Sequence, residues 1–400
     1  MQTQPKPLDD IVVLDLSRVL AGPYCSMMLG DLGADIIKVE RPGSGDDTRH
    51  WGPPEAGGEA AYYLCLNRNK RSITVNMKSA EGQQIIKDLA RQSDIVIENY
   101  KVGTLARMGL GYEDLRAENP GLIYCSITGF GQNGPYKDRP GYDFMIQGMG
   151  GIMSFTGEPD GAPMKVGVAI VDVTAGLFAV NAILAALHHR QKTGKGQYID
   201  IALLDSVVAW LANVGSNYLV SGNLPQRWGN GHPNIVPYEP FETQDGAYIA
   251  LAIGNDRQWQ KFCKLADMQT LADDPRYATN PQRVKHRKAL IPLVAEKMKL
   301  KTRGQWQAEL DAQNIPCGPI NTLDQVFADP QILAREMVAE VPHPTAGSVK
   351  MAPSPMKLSD TPCTIDRHPP LLGEHTSEIL VEKLGLNDQA IAGLRERGII

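Results

Sequence analysis

The stretch IVVLDLSRVLAGPYCSMMLGDLGADIIKVE, residues 11–40, sets the architecture. Its opening, IVVLDLS (11–17), is a short run of apolar and β-branched residues, the pattern of a strand buried on both faces. Gly22-Pro23 opens a helical stretch that reaches Leu32, and ADIIKVE (34–40) reads as the next strand. Together they make a compact βαβ unit. The same alternation continues with strand candidates at SITVN (72–76), DIVIEN (94–99), LIYCSIT (122–128) and 198–202. A helix over 79–92 carries Ile85, Ile86, Leu89 and Ala90 on one face. This rhythm predicts an α/β protein whose large domain is a Rossmann-like, doubly wound parallel sheet.

Between 141 and 176 the chain is rich in Gly and Met, and MKVGVAIVDVTAG (164–176) leads into an apolar helix over 173–189 that ends in HHRQKTGKG. A further helix is expected over 203–220. The turn-rich SGNLPQRWGNGHPNIVPYEP (221–240) marks a domain boundary. The expected organisation is a large domain over 1–220, completed by 326–400 returning to it, and a smaller α/β domain over 221–325. The stretch 330–365 reads as Pro-rich and extended, and the last residues as two short helices.

With 42% hydrophobic and 21% charged residues the chain has an ordinary globular composition, and its 400 residues suffice for a large core. A formal charge of -5 gives no basic field to recruit nucleic acid or an anionic membrane. The six cysteines form no CxxC pair and several lie in apolar runs, which argues for reduced thiols rather than disulfides or a metal site. The start, MQTQPKPLDD, has no signal-peptide core, and no apolar run is read as reaching the ~18 residues of a membrane span. A cytoplasmic enzyme without nucleic-acid or membrane partners is the expectation.

No Walker loop, GxSxG elbow, HExxH or GxGxxG is present, so several common enzyme classes and a nicotinamide cofactor lose support. The local feature that stands out is Asp172, placed between the strand-like Val166–Val171 and the helix beginning at Val173. Helix N-terminal N–H groups stabilise an anion there, so the carboxylate is expected to stay ionised at neutral pH. A plain N-cap accounts for the same pattern.

Read together, VLDLSRVLAGPYCSMMLGDLGADIIKVERPGSGDDTR, NRNKRSITVNMKSAEG, ENYKVGTLARMGLGYEDL, IDIALLDS and PLLGEHTSEIL closely resemble the class III CoA-transferases, in order and nearly end to end. That resemblance implies that Asp172, in GVAIVDVTAG, is a nucleophile that attacks an acyl-CoA thioester and passes through mixed-anhydride and aspartyl-CoA intermediates. It implies a CoA-contacting set of Arg41, Val75, Asn76, Lys78, Asn99, Tyr100, Lys101 and Arg107, with Tyr142 lining the substrate region. The flexible loop Gly229-Asn230-Gly231-His232 is implied to shield the site and donate N–H groups to an oxyanion. It further implies an interlocked, ring-like homodimer, no metal and no tightly bound cofactor, with coenzyme A as substrate and carrier.

Racemases related to this family pair the aspartate with the histidine of a GHDxxY-like motif, whereas this chain reads Gly141-Tyr142-Asp143. The histidine's absence favours transfer over epimerisation, although His232 could supply an imidazole and a non-catalytic acyl-CoA-binding protein would need no Asp172. Formyl-CoA transferases carry a glutamine in the first βα turn and four consecutive glycines in the small domain; Leu20 and GNGHPN stand here instead, which argues against oxalate. The wording GNGHPNIVPYEPFETQDG is similar to the branch acting on succinyl-CoA and dicarboxylates such as glutarate. Arg18, Arg139 and Arg227 are candidates for a distal carboxylate.

Overall fold

The computed structural model describes residues 5–400. The apolar runs form six strands: Val12–Asp15 (β1), Asp35–Glu40 (β2), Lys70–Thr74 (β3), Ile95–Glu98 (β4), Ile123–Thr128 (β5) and Tyr198–Ala202 (β6). They lie in one sheet in the order β3-β2-β1-β4-β5-β6, and every neighbouring pair is parallel. The chain therefore winds outward from β1 in one direction and then, from β4, in the other. That reversal opens a crevice at the carboxyl ends of β1 and β4, where sheets of this kind bind ligands.

Side chains alternate across the sheet. On one face Leu14, Ile37, Val39, Ile73 and Val96 pack with Ile85, Ile86 and Leu89 of helix α2 (Ala80–Arg91). Ser79 caps α2 by accepting the Gly82 N–H at 3.0 Å. The two C-terminal helices, Thr376–Leu384 and Asp388–Glu396, add Ile379, Leu380, Ile391 and Leu394 to the same core. The opposite face is covered by α1 (Ala21–Asp31) and a 24-residue helix, Ile170–Thr193. Two glycines let these approach closely. A Cβ at Gly22 would stand 2.2 Å from the Ser17 hydroxyl, and one at Gly176 would stand 2.8 Å from the Ala21 carbonyl.

Three local expectations are corrected. Residues 166–171 form no strand, because the long helix already starts at Ile170; an apolar run alone does not separate the two states. That helix is long and apolar enough to cross a bilayer, against the expectation that no such run exists. It packs against α1, β5 and β6, with eight of its 24 residues buried. The helix expected over 203–220 is two, Leu203–Ala209 and Ala212–Ser221, broken where Ala212 takes φ 45°. Within 330–365, Ala339–His343 and Gly347–Met351 also pair as an antiparallel hairpin.

The chain folds into two compact units. One comprises the chain up to Ile152, Val166–Ser216 and Pro330–Ile400; the other comprises Met153–Lys165 and Asn217–Asp329. In the second unit Tyr238–Glu242 (β7), Tyr248–Ala252 (β8) and Cys317–Pro319 (β9) form an antiparallel sheet of order β9-β8-β7. Ile249 and Leu251 pack there with Trp259, Phe262 and Trp306. Residues 153–165, read from sequence as part of the large domain, group with this unit. The Arg227 Nε donates to the Glu158 carbonyl at 3.2 Å and the Gly229 N–H to the Gly157 carbonyl at 3.0 Å.

The first sheet buries charge as well as apolar surface. Lys38 of β2 pairs with Asp46 at 2.8 Å, and Lys70 of β3 with Asp15 of β1 at 3.3 Å, all four side chains being at most 1% exposed. Burial opposes the charge on Asp46, yet the Lys38 ammonium beside it holds its carboxyl down to about 2. Removing one partner of such a pair strands the other. Lys38→Met is therefore expected to cost about 3–5 kcal/mol of stability, read from the urea midpoint, and Lys38→Met combined with Asp46→Ala is expected to recover part of it.

Candidate active site

The turn after β1 forms one wall of the crevice, and its shape is imposed by buried polar groups. Asp15 accepts the Ser17 N–H at 2.9 Å and the Ser26 hydroxyl at 2.5 Å, and Lys38 donates to the Ser17 carbonyl at 3.2 Å. Asp46 receives the Val19 N–H at 3.2 and 3.3 Å from its two oxygens. Val19 is thereby held at φ 71°, a left-handed conformation costly for a β-branched residue. Asn99, following β4, clamps Arg18 from the other side: its Oδ1 accepts the Arg18 N–H at 3.0 Å and its Nδ2 donates to the Arg18 carbonyl at 2.6 Å.

This turn borders a cleft of about 160 Å³ that also takes in the end of β5, Leu203 just after β6, Lys137 and the segment Arg139–Tyr142. Asn99, Tyr100, Lys101, Tyr142 and Asp172 line it together, with Arg18 and Arg139. Beneath Tyr100, Glu98 accepts the Tyr100 N–H at 2.7 Å and the Ser126 hydroxyl, and burial pushes its carboxyl up to about 7. Four cations, Arg18, Lys101, Lys137 and Arg139, give the cleft a positive lining for an anionic ligand. No histidine lines it, so a racemase's second acid–base group has no counterpart there.

Asp172 is the third residue of the helix Ile170–Thr193, whose N-cap, Ala169, offers no side-chain acceptor. Asp172 is therefore not the cap. Asp143, in the first turn of α3 (Asp143–Met149), takes that role from 29 residues upstream. Its Oδ1 accepts the N–H groups of Val171 at 2.8 Å and Asp172 at 3.4 Å, and its Oδ2 accepts the Gln147 amide at 2.7 Å. Gln147 in turn accepts the Val166 N–H at 2.9 Å. The helix-end donors thus go to Asp143, and among the described residues none reaches the Asp172 carboxylate. Burial, with the Asp143 charge adding, pushes Asp172 up to about 7. This corrects the expectation of a carboxylate fully ionised at neutral pH.

Tyr62, absent from the sequence-derived site, lies within electrostatic reach. Burial pushes its hydroxyl up to about 12, with the Asp172 charge as the next cause. It stacks edge-to-face on Trp51 with centroids 5.2 Å apart. Tyr62 has no place in the sequence-derived site, and Asp143 entered it only as the last residue of the motif stretch Gly141-Tyr142-Asp143, with no role assigned.

The remaining predicted residues lie outside the cleft lining. Arg41 is exposed and pairs with Asp47, which also binds Arg18 at 2.7 Å. The Val75 side chain sits in the core and its N–H donates to the Glu40 carbonyl at 2.9 Å. Asn76 is tied to the C-terminus through its N–H, 2.7 Å from the Ile399 carbonyl, and Lys78 and Arg107 are exposed. The loop Gly229–His232 belongs to the second unit with Arg227. Arg287 donates to the His232 and Pro233 carbonyls at 2.8 and 3.0 Å and lies over the Trp228 ring at 4.4 Å. Partial burial, with Arg287 nearby, holds the His232 imidazole below its ordinary range.

The chain is 49% identical over 389 residues to a protein from Agrobacterium fabrum (strain C58 / ATCC 33970) named succinate–glutarate CoA-transferase, covering 96% of this chain and 97% of that one. It is 47% identical over 395 residues to the human succinyl-CoA:glutarate CoA-transferase, covering 99% and 90%. The crystal structure of a CAIB/BAIF family protein from Brucella suis superposes with a TM-score of 0.85 at 49% identity, covering 95% of this chain and all of that one. The family model for CoA-transferase family III matches residues 8–376. With the parallel sheet, the charged crevice and these near full-length likenesses in agreement, the chain belongs to CoA-transferase family III and is a transferase acting on CoA thioesters.

Proposed function

We propose that this enzyme moves CoA from succinyl-CoA to glutarate or a closely similar dicarboxylate, with Asp172 as nucleophile. The observation that carries the reading is Asp172 itself, a partly buried carboxylate of near-neutral affinity for protons in a cation-lined cleft at the sheet's switch point. The names of the relatives supply the donor and acceptor class.

In the proposed sequence an Asp172 oxygen attacks the succinyl thioester carbon, the C–S bond breaks and CoA leaves as the thiolate. The thiolate then attacks the aspartyl carbonyl of the anhydride, releasing succinate and leaving an aspartyl-CoA thioester. The acceptor carboxylate attacks that thioester and expels the thiolate again, and the thiolate's attack on the acceptor's acyl carbon frees Asp172. Charge moves from carboxylate to thiolate and back, and no net proton is needed. Each tetrahedral oxyanion calls for preorganised donors, the role we assign to Gly229, Asn230, Gly231 and His232. Arg41, Asn76, Lys78, Lys101 and Arg107 are the groups we assign to the CoA phosphates and ribose, with Val75, Asn99, Tyr100 and Tyr142 flanking the carrier.

For the acceptor's distal carboxylate, Arg139 is the preferred of the three candidate arginines. Arg227 is bonded to carbonyls in the second unit, and Arg18 is paired with Asp47. Arg139 shares the cleft with Asp172 and, among the described residues, is held by aromatic rings, 4.7 Å from the Tyr136 centroid and 5.5 Å from that of Phe130, leaving its fork of N–H donors for a ligand. We further propose that two copies associate, one unit of each chain completing the other. The support is the exposure of Phe144 (62%), Val168 (60%), Val208, Leu177 and Phe178 in the first unit. A reducing compartment such as the cytoplasm fits the six unpaired cysteines.

Asp172→Ala is expected to lower transfer roughly a thousandfold or more, the scale of losing a covalent nucleophile, while CoA still binds by calorimetry; retained turnover would sink the mechanism. Since the ionised form attacks, wild-type kcat/KM is expected to fall as pH drops through about 7. Arg139→Met is expected to raise KM for glutarate about tenfold or more and to leave the KM of a monocarboxylate of equal length unchanged; equal effects on both acids would rule out a distal contact. Light scattering is expected to give twice the 43.7 kDa chain mass, and a monomer mass would contradict the association.

A further inference from the structure

We infer that Asp143 is a positioning residue for the reaction: it fixes the helix end that carries Asp172 and sets a like charge against the free Asp172 carboxylate, a repulsion relieved when Asp172 becomes acylated. The inference rests on the reading of Asp172 as nucleophile and goes beyond it by explaining why the covalent state is accessible.

The geometry separates the two carboxylates by their partners. Both stand at the N-terminus of the helix Ile170–Thr193, where free N–H groups favour an anion. Asp143 takes those donors: two backbone N–H groups on Oδ1 and the Gln147 amide on Oδ2, so both oxygens act as acceptors, as in the ionised group. Asp172 receives none among the described residues and is partly buried beside that charge. An ordinary cap would stabilise the helix and leave its neighbour alone. Here the cap occupies the donors that would otherwise stabilise the nucleophile and adds a second negative charge.

The consequence follows from charge balance along the reaction. In the ionised free enzyme, the form populated above about pH 7, Asp172 is an anion whose own N–H is bonded to Asp143. When its oxygen bonds to the acyl carbon and the C–S bond breaks, the negative charge departs on the CoA thiolate. When the thiolate then bonds to the aspartyl carbonyl carbon, the charge departs on the released carboxylic acid. In both covalent states Asp172 is neutral and the repulsion is gone. Asp143 therefore raises the free carboxylate relative to the anhydride and the thioester, a ground-state effect tied to one named charge. It also makes Asp172 more basic and hence a stronger nucleophile once ionised.

The other titratable or charged groups around Asp172 come from separate elements. Tyr62 lies on the short helix Ala61–Leu64, Arg18 on the β1–α1 turn, Tyr100 and Lys101 after β4, and Lys137, Arg139 and Tyr142 on the segment before α3. Glu98 lies beneath Tyr100 and also titrates near neutrality. Beside these, Asp143 is the group whose charge acts on Asp172 after burial itself.

The test compares wild type with Asp143→Asn, which keeps an oxygen acceptor for the Val171 N–H but removes the charge, and Asp143→Ser as a second neutral cap. Each protein is incubated with succinyl-CoA at fixed succinate, and the CoA adduct on Asp172 is quantified by intact mass and peptide mapping; kcat/KM is then measured against pH. The neutral variants are expected to lower the covalent equilibrium about tenfold and to move the acidic limb down by roughly one pH unit. A limb and an adduct fraction unchanged in folded variants would overturn the inference, as would failure of both variants to fold, which would make Asp143 a structural cap. Asp172→Asn is run alongside. If it still turns over, or the adduct maps to another residue, the nucleophile reading itself fails; if it is inactive while the Asp143→Asn limb stays put, only the role of Asp143 falls.

Discussion

The crevice depends on the buried pairing of Lys38 with Asp46 beneath the carboxyl ends of β1 and β2. A charge out of water is costly unless paired and hydrogen-bonded, so the pair admits few rearrangements. Because Asp46 also receives the Val19 N–H, the same interaction holds the turn after β1 in a conformation that a valine would not adopt alone. Asp15 and Lys70 extend the network across β1 and β3, and through Ser17 and Ser26 tie it to the start of α1. Stability and site geometry thus rest on one set of side chains.

The position of α1 passes this constraint to Asp172. Gly22 brings α1 against Ser17, and Gly176 brings the helix Ile170–Thr193 against Ala21, so that helix docks where the buried network has put its neighbour. Asp172, one turn upstream of Gly176, enters the cleft beside the strained turn. Its near-neutral titration then follows from where the helix-end donors go: they point at Asp143, and the Asp172 carboxyl has burial without compensation.

A partly buried carboxylate in a cation-lined cleft suits the proposed reaction, whose intermediates would be anhydrides and thioesters. Both are destroyed by water, and in the proposed cycle both would be neutral at the aspartyl group while charge resides on thiolate or on acids. The cations Arg18, Lys101, Lys137 and Arg139 can follow that charge without taking part in bond making. The absence of an imidazole from the cleft lining fits the proposed cycle, which moves no net proton.

The parallel sheet and its winding were legible in local patterns of residues. Strands buried on both faces are continuous apolar runs, and helices of one-sided polarity separate them, so IVVLDLS, ADIIKVE, DIVIEN and LIYCSIT could be placed within a residue or two. The chain also carried its family in several long motifs; the role proposed for Asp172 came with that resemblance, while its local pattern alone read as a helix cap. It took the folded arrangement to establish that Ala169 is the N-cap position, that Asp143 takes the donors, that Tyr62 comes within reach of Asp172, and that residues 153–165 group with the second unit. The same holds for which of the basic residues share a cleft. The physical reason is range: strand and helix periodicity are written in neighbouring residues, whereas a carboxylate's affinity for its proton depends on burial and on charges brought together from residues 29 positions apart or more.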